Sequence, residues 1–484
     1  MTKRCILLKI EIFVLIFAVI LSSVTFVMRY KKDQRRILPF YKESSNSFDV
    51  IFLGSSHVHG SIIPLELWNN YGITSFDYAT PGQNFQLIFS CIKEVIEKQN
   101  PTLLVIDLYT SFYICRHMFE SFGTHNITDC MSMFSKYRLL KDFISTNNEL
   151  DNNISFELFF PLSVYHHRWN NLSKDDFYGI GIEEDIRKGV YMDVPYFKRM
   201  NKGRLQVTSL KHTESKQLPY LYDTILIKIL ELCKKEQTNI LFTIFPYDDN
   251  HKDGSYNIDI NLVNQYYKYI LEKGINYKNT AFINYFTKIN EIGLDGKKDL
   301  KDKSHLNYYG AQKITAHIGK YIKEHYDIPD RRLDPAYAKW NDDYKLYVQD
   351  TFAQELNATK NSEKYLELLT SKKEATDNTC IFFVKTSEKN INSKHFNSLG
   401  INVNTNNCIT IIDEGKIVYN RTASDILLQH EYKIGRLPIK LVSDVKGKNS
   451  SIKVDGIEQI NNKSGITVVI YDKLLKKVSS VRSL

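Results

Sequence analysis

The longest apolar run is at the N-terminus. Ile12 to Met28 carries no charged residue, and extending it back through Ile6, Leu7, Leu8 and Ile10 admits only Lys9 and Glu11. That length suits a helix crossing a bilayer. No small-x-small cleavage site follows before Arg29, Lys31, Lys32, Arg35 and Arg36, so a retained signal anchor is expected over 1–36, basic flank included.

Beyond the anchor the runs are short and buried in character. Asp49 to Leu53 leads into Gly54-Ser55-Ser56-His57, which reads as a strand entering a tight turn. Further strands are expected over 74–79, 103–108, 239–245 and 281–285. Helical spacing over 87–98, 221–235 and 263–273 falls between them. Strand and helix in alternation predict an α/β domain with a parallel sheet covered on both faces, spanning about 46–327. From about 112 to 211 the alternation lapses, as expected of an insertion; insertions at strand carboxyl ends commonly build the site of such a sheet.

After His325 the pattern changes. Ile328 to Arg332 reads as a polar linker, and a second domain is expected over 334–484. One or two helices reach about Leu369, then strands fall near 381–384, 409–412, 417–419, 439–442, 451–454 and 466–471. Asp413-Glu414-Gly415 is a hairpin turn signal.

Charge and cysteine narrow the classes. Much of the net charge of +9 lies beside the anchor, where anionic headgroups would attract it. No zinc finger, basic zipper or aromatic RNA-binding signature accompanies it, so nucleic acid is not an expected partner. The seven cysteines are scattered, without C-x-x-C pairs, and read as isolated thiols.

Two distant segments carry candidate chemistry. Ser56 stands where a strand ends and a helix begins, so its hydroxyl is free to attack while its N–H helps hold an oxyanion. In Asp302-Lys303-Ser304-His305-Leu306-Asn307-Tyr308-Tyr309-Gly310, Asp302 and His305 are three apart. The carboxylate can then fix the imidazole tautomer and leave the other nitrogen to take a serine proton. His57-Val58-His59 and His166-His167 lack carboxylate or cysteine partners, so no metal and no cofactor is expected. His57 and Tyr109 are candidates for lining a cleft. Arg168 beside Trp169 either grips an anionic or sugar substrate or forms a structural stack.

Leu53-Gly54-Ser55-Ser56 resembles the first block of the SGNH/GDSL hydrolase superfamily, and Asp302-x-x-His305-Leu-Asn-x-x-Gly310 its last. The resemblance covers roughly 49–326 and is nearest to the membrane-anchored, DltD-like branch that transfers acyl groups in cell envelopes. It implies a flavodoxin-like three-layer fold, a Ser56–His305–Asp302 triad, and an oxyanion hole from Ser56, Gly82 and Asn84. Ser55 replaces the usual Asp. The usual Gly-x-Asn-Asp block is absent where Val105 to Thr110 stands, so either Asn84 or Tyr109 supplies the side-chain donor or the enzyme is slow or specialised.

The resemblance further implies a serine O-acyltransferase or esterase acting on an envelope polysaccharide, and a multi-pass membrane acyltransferase (MBOAT-type) partner as acyl donor. It places the body outside the cytoplasmic membrane, whereas the basic residues after Met28 favour a cytoplasmic body. In the second domain, Ser450 to Gly456 and Gly465 to Asp472 resemble an ILEI-like fold that also occurs as a sugar-binding module. A generic α+β accessory domain fits equally. The alternative for the whole chain is a non-catalytic glycan-binding scaffold.

Overall fold

The computed structural model describes residues 3–29, 31–111, 122–146, 152–173, 176–177, 186–190, 194–249, 252–253, 256–257, 260–277, 279–385, 393–401, 408–422, 427–443, 450–461 and 465–484. The chain divides into two compact units. The first comprises Met1–Met192 and Lys198–Tyr344, the second Asp193–Phe197 and Lys345–Leu484.

The first unit opens with helix α1 (Lys3–Met28), which contains a 23-residue apolar span, Ile6–Met28, long enough to cross a membrane. The basic flank does not trail from it as a free lipid-binding tail. It forms α2 (Lys31–Lys42), which docks on the sheet: the Phe40 and Tyr78 ring centroids lie 4.6 Å apart, and the Tyr41 and Tyr78 hydroxyls are 2.6 Å apart. Arg36 is buried, so its charge is not available to headgroups.

Strands β1 (Val50–Gly54), β2 (Ser75–Ala79), β3 (Leu103–Asp107) and β4 (Asn239–Ile244) pair in parallel with β7 (Thr280–Asn284) in the order β2-β1-β3-β4-β7. Lys252–Asp253 (β5) and Tyr256–Asn257 (β6) form a separate two-residue ladder. The first three strands are buried throughout, as expected of parallel strands covered on both faces. The short turn helix α3 (Ser56–His59) follows β1, and α4 (Pro64–Tyr71) leads into β2. From β2 the chain passes through α5 (Phe85–Gln99) to β3, on the far side of β1. Because parallel crossovers are right-handed, this reversal puts α4 and α5 on opposite faces. It also opens a crevice at the carboxyl ends of β1 and β3.

The expected insertion contains helices α6 (Phe122–Thr128), α7 (Met133–Thr146), α8 (Asn152–Phe159) and α9 (Leu162–Tyr165). The α/β order then resumes with α10 (Tyr220–Lys235), α11 (Ile260–Gly274) and α12 (Tyr308–His325). Phe85 of α5 meets Tyr222 of α10 edge to face at 5.7 Å. On the other face α12 lies against α4, where Tyr71 Oη donates to Ala316 O at 2.8 Å and a Cβ at Gly319 would stand 2.4 Å from the Tyr71 ring.

The stretch read as a linker is docked on this unit. Arg331 makes two hydrogen bonds to Asp49, at 3.2 and 2.9 Å, and Trp340 packs on Trp68 at 5.3 Å while Trp68 Nε1 donates to Asn341 at 3.1 Å. The division between units accordingly comes at 344/345, inside helix α13 (Ala338–Ala358), rather than at 334.

The second unit has two antiparallel sheets. β8 (Asn378–Lys385), β9 (Cys408–Asp413), β10 (Lys416–Thr422), β15 (Gly465–Asp472) and β16 (Lys477–Ser483) are ordered β10-β9-β8-β15-β16. β11 (Leu428–Ile434), β12 (Leu437–Ser443), β13 (Ser451–Val454) and β14 (Ile457–Asn461) follow sequence order. The period-two alternation of β8 and β15 sorts their side chains onto two faces. Phe382, Val384, Val468 and Ile470 pack with Leu356 of α13 and Tyr365 of α14 (Ser362–Ser371), whereas Ile381, Phe383 and Val469 pack with Ile439, Leu441 and Ile452 of the smaller sheet. Glu414 and Gly415 both take positive φ, as a type I′ hairpin requires. β11, β14 and β16 are additional to the expected strands; they are polar and partly exposed, so their sequences carry little hydrophobic signal. Among the described residues Cys91, Cys130, Cys233, Cys380 and Cys408 are free thiols.

Replacing Gly319 with Leu should lower stability by about 1–3 kcal/mol, because the added side chain has no room against Tyr71 and Leu67. The midpoint of urea unfolding, followed by far-UV circular dichroism, measures this.

Candidate active site

β1 delivers Ser56 to the crevice through an unusually close contact. A Cβ at Gly54 would lie 2.6 Å from Val58 Cγ2 and 3.0 Å from Asp107 Cβ, so only glycine lets the turn fold back over β3. Ser55 is the cap residue of α3, buried with its hydroxyl unpartnered among the described residues; Ser56 begins the helix and is partly exposed. As a first-turn residue, Ser56 has an N–H without an intrahelical acceptor.

The other half of the site is held by the segment ahead of α12. Asn307 is fully buried; its Oδ1 accepts from Gly310 N at 3.1 Å, and its Nδ2 donates to Lys298 O at 2.7 Å and Lys198 O at 3.0 Å. Leu306 is in the core, and a Cβ at Gly310 would stand 2.4 Å from Asp299 O. Lys301 N donates to His305 O at 2.9 Å, closing the loop. The Leu-Asn-x-x-Gly part of the motif is thus a mount for His305.

On this mount the three predicted residues meet. His305 Nε2 lies 2.8 Å from Ser56 Oγ, and His305 Nδ1 lies 2.8 Å from Asp302 Oδ1, joining positions 249 apart in sequence. Asp302 Oδ1 also accepts the N–H groups of Ser304 and His305, both at 2.9 Å, and Lys301 Nζ is 3.7 Å from Oδ2. Burial opposes the Asp302 charge, but the hydrogen bond from His305, the charges of His305 and Lys301 and the Ser304 N–H outweigh it. The carboxyl is held well below its ordinary range. An ionised Asp302 accepts from Nδ1–H and leaves Nε2 to accept the Ser56 proton.

His57 and Tyr109 both reach this neighbourhood. Their rings stack at 3.5 Å, with His57 5.5 Å from the His305 ring and Tyr247 edge-on to both His57 and Tyr109. The loop after β2 starts beside the site, since Ala79 is in register with Gly54. It carries Gly82, exposed at φ +66°, and Asn84, buried. Asn84 Oδ1 caps α5 by accepting from Gln86 N at 3.0 Å, while Nδ2 is a buried donor without a partner among the described residues.

Arg168 does something other than grip substrate. Its guanidinium is buried and donates to Met28 O, Arg29 O and Asp176 Oδ1 at 2.6, 2.7 and 2.9 Å, because the last carbonyls of α1 have no helical N–H donors of their own. Trp169 is exposed and makes no stack with it. The two His-rich segments diverge: His57 faces Tyr109, whereas His59 Nδ1 accepts from Arg36 Nη1 at 3.3 Å. No group of three or more His, Cys, Asp or Glu side chains suited to a metal ion occurs among the described residues.

Three buried groups, His59 of the His57-Val58-His59 segment together with Asp77 and Asp107, are held toward their neutral forms; the two acids carried no assignment from the sequence. Burial, then the charges of Arg36, His305 and Lys301, keep His59 well below the ordinary imidazole range. Asp77 is fully buried with both oxygens unpartnered among the described residues, and burial raises it well above the carboxylate range despite Arg36. Asp107 ends β3; burial pushes it up to about 8, against the N–H groups of Tyr109 (3.3 Å) and Phe245 (3.4 Å). Its sequence signal is that of an acid at a strand carboxyl end; its burial has no local signature.

No protein-family model matches the chain, and no curated protein matches it.

Asp107 generates a pH prediction. Between about pH 4 and 8 the folded state keeps a proton that the unfolded state has released, so stability falls as pH rises through that window, by at most about 1.4 kcal/mol per pH unit. Asp107→Asn should flatten part of this slope and be relatively more stable than wild type at pH 8 than at pH 5. Urea midpoints for both proteins at the two pH values test it, and parallel slopes would contradict it.

Proposed function

We propose that the chain is a membrane-anchored serine O-acyltransferase or esterase of the SGNH/GDSL type, acting on a cell-envelope polysaccharide through an acyl-Ser56 intermediate. The single observation that carries this reading is the unbroken Ser56–His305–Asp302 hydrogen-bond chain, with both links at 2.8 Å. Support also comes from its place at the carboxyl end of β1, beside the reversal in strand order.

Ser56 Oγ attacks the acyl carbonyl as its proton passes to His305 Nε2, and Asp302 stabilises the imidazolium. The oxyanion is met by the Ser56 N–H, the Gly82 N–H and Asn84 Nδ2. Collapse expels the donor's leaving group, which takes the proton from His305 and leaves the acyl group on Ser56. A sugar hydroxyl, or water, then gives its proton to His305 and attacks the acyl carbon; the bond to Ser56 Oγ breaks as His305 returns that proton to it, and the enzyme is restored. His57, Tyr109 and Tyr247 form a buried aromatic cluster that packs beside the triad and supports His305 from behind. No cofactor enters this route.

In the same reading the body faces the envelope, a multi-pass MBOAT-type protein supplies the acyl group, and the second unit is an ILEI-like module that binds the glycan.

Ser56→Ala and His305→Ala should each lower kcat for an activated acyl ester by at least about 10³, with Asp302→Ala less severe and the triple change little worse than either of the first two. Brief exposure to the ester should add one acyl mass to wild type, seen by intact-mass spectrometry, and none to Ser56→Ala. A folded wild type that binds glycan yet forms no adduct would make the chain a scaffold instead. Asn84→Asp separates the two jobs of Asn84: it keeps the cap on Gln86 N and removes the donor. Roughly a 10²–10³ loss in kcat is expected with the unfolding midpoint nearly unchanged.

A further inference from the structure

The end of α1 is built into the body. Beyond the Arg168 contacts to the Met28 and Arg29 carbonyls, Arg29 Nε lies 3.8 Å from Asp129 Oδ2. Lys136 Nζ sits 3.6 Å from Asp129 Oδ1 and donates to Leu158 O at 3.1 Å, tying the first turn of α7 to the end of α8. The Ser23 and Thr25 hydroxyls donate to Val19 O and Leu21 O at 2.8 and 2.7 Å, so those donors are satisfied within the helix, as an apolar surrounding requires.

Against the last apolar turns lies a groove of about 650 Å³, between Leu21–Val27 on one side and Phe159–Leu162 on the other. The 23-residue span is roughly 34 Å long at 1.5 Å per residue, only slightly more than a hydrocarbon core of about 30 Å. Whatever packs on Leu21–Val27 therefore stands at the membrane boundary. Phe160 lines this groove and stacks with Phe156 at 5.0 Å; elsewhere on the insertion Met133, Phe134, Tyr137 and Trp169, the last next to the Arg168 that binds the end of α1, each leave half or more of their surface uncovered. Arg138 lies over the Phe134 ring at 5.6 Å, with its guanidinium paired to Glu94 and Glu97 of α5.

We propose that this aromatic rim of the insertion is seated in the interfacial zone of the bilayer that α1 crosses. The inference rests on α1 spanning the membrane. Lipid is the occupant because the rim continues the lipid-facing surface of α1 at its boundary, and Trp, Tyr and Phe together are the composition of an interface belt. The consequence is functional: the first unit is held on the membrane by two contacts and does not swing on a tether, so Ser56 serves substrates presented at the bilayer surface.

The full chain has three tryptophans, of which Trp68 and Trp340 are buried and Trp169 is 67 % exposed. Full-length protein is placed in phosphatidylcholine nanodiscs with and without lipids brominated near the headgroup. Bromolipid should quench the emission, Trp169→Phe should remove most of that quenching, and Phe156→Ser with Phe160→Ser should reduce it at least twofold while raising iodide access to Trp169. Circular dichroism checks that each variant is folded. Full iodide access to Trp169 in wild-type nanodiscs, with no bromolipid quenching, would overturn the proposal and leave the rim for a protein partner. A chain that does not enter nanodiscs would overturn it at its premise, by removing α1 as a span.

Discussion

The Ser56–His305–Asp302 arrangement depends on the absence of a side chain at Gly54. β1 runs between β2 and β3, and at its carboxyl end the chain must turn at once, with Val58 and Asp107 both at contact distance from where a Cβ would be. A larger residue would push α3 off β3 and carry Ser56 out of reach of His305. Because the hydrogen bond between them tolerates only a few tenths of an ångström, a small error in this turn would break the chain of three. The mount of His305 answers the same requirement from the other side, with Asn307 and Gly310 fixing the entry to α12.

Around this turn the protein sorts its acids and bases by environment. Asp302 is partly exposed and keeps its charge because several donors face it. Asp107, Asp77 and His59 are buried, and desolvation drives each toward its neutral form. The arrangement makes pH dependence a property of the buried groups as much as of the triad.

Anchor and body meet through a buried guanidinium. Arg168 supplies the donors that the end of α1 requires, and Asp176 balances its charge. A helix end that is capped in this way and packed beside Phe159–Leu162 transmits its orientation to the insertion. Arg36, from the next helix, reaches His59 one turn beyond Ser56. The polypeptide from α1 to Ser56 is thus a succession of packed elements.

Much of this was legible in the chain itself. The membrane-length helix, the alternation that makes a parallel sheet, the Ser56 turn and the Asp302-x-x-His305 pair all follow from local patterns, because burial period, turn chemistry and three-residue spacing act over a few residues. What only the tertiary structure decided is what depends on distant partners. Arg168 could have been a substrate clamp or half of an Arg–Trp stack until the carbonyls of Met28 and Arg29, some 140 positions away, came to face it. Ile328 to Arg332 looked like a linker until Asp49 bound Arg331. Asp107 was an ordinary strand-end acid until the sheet removed it from water. A residue's type and neighbours limit which bonds it can make, but long-range packing chooses among them, since desolvation and partner distance are properties of the folded surroundings and not of the residue.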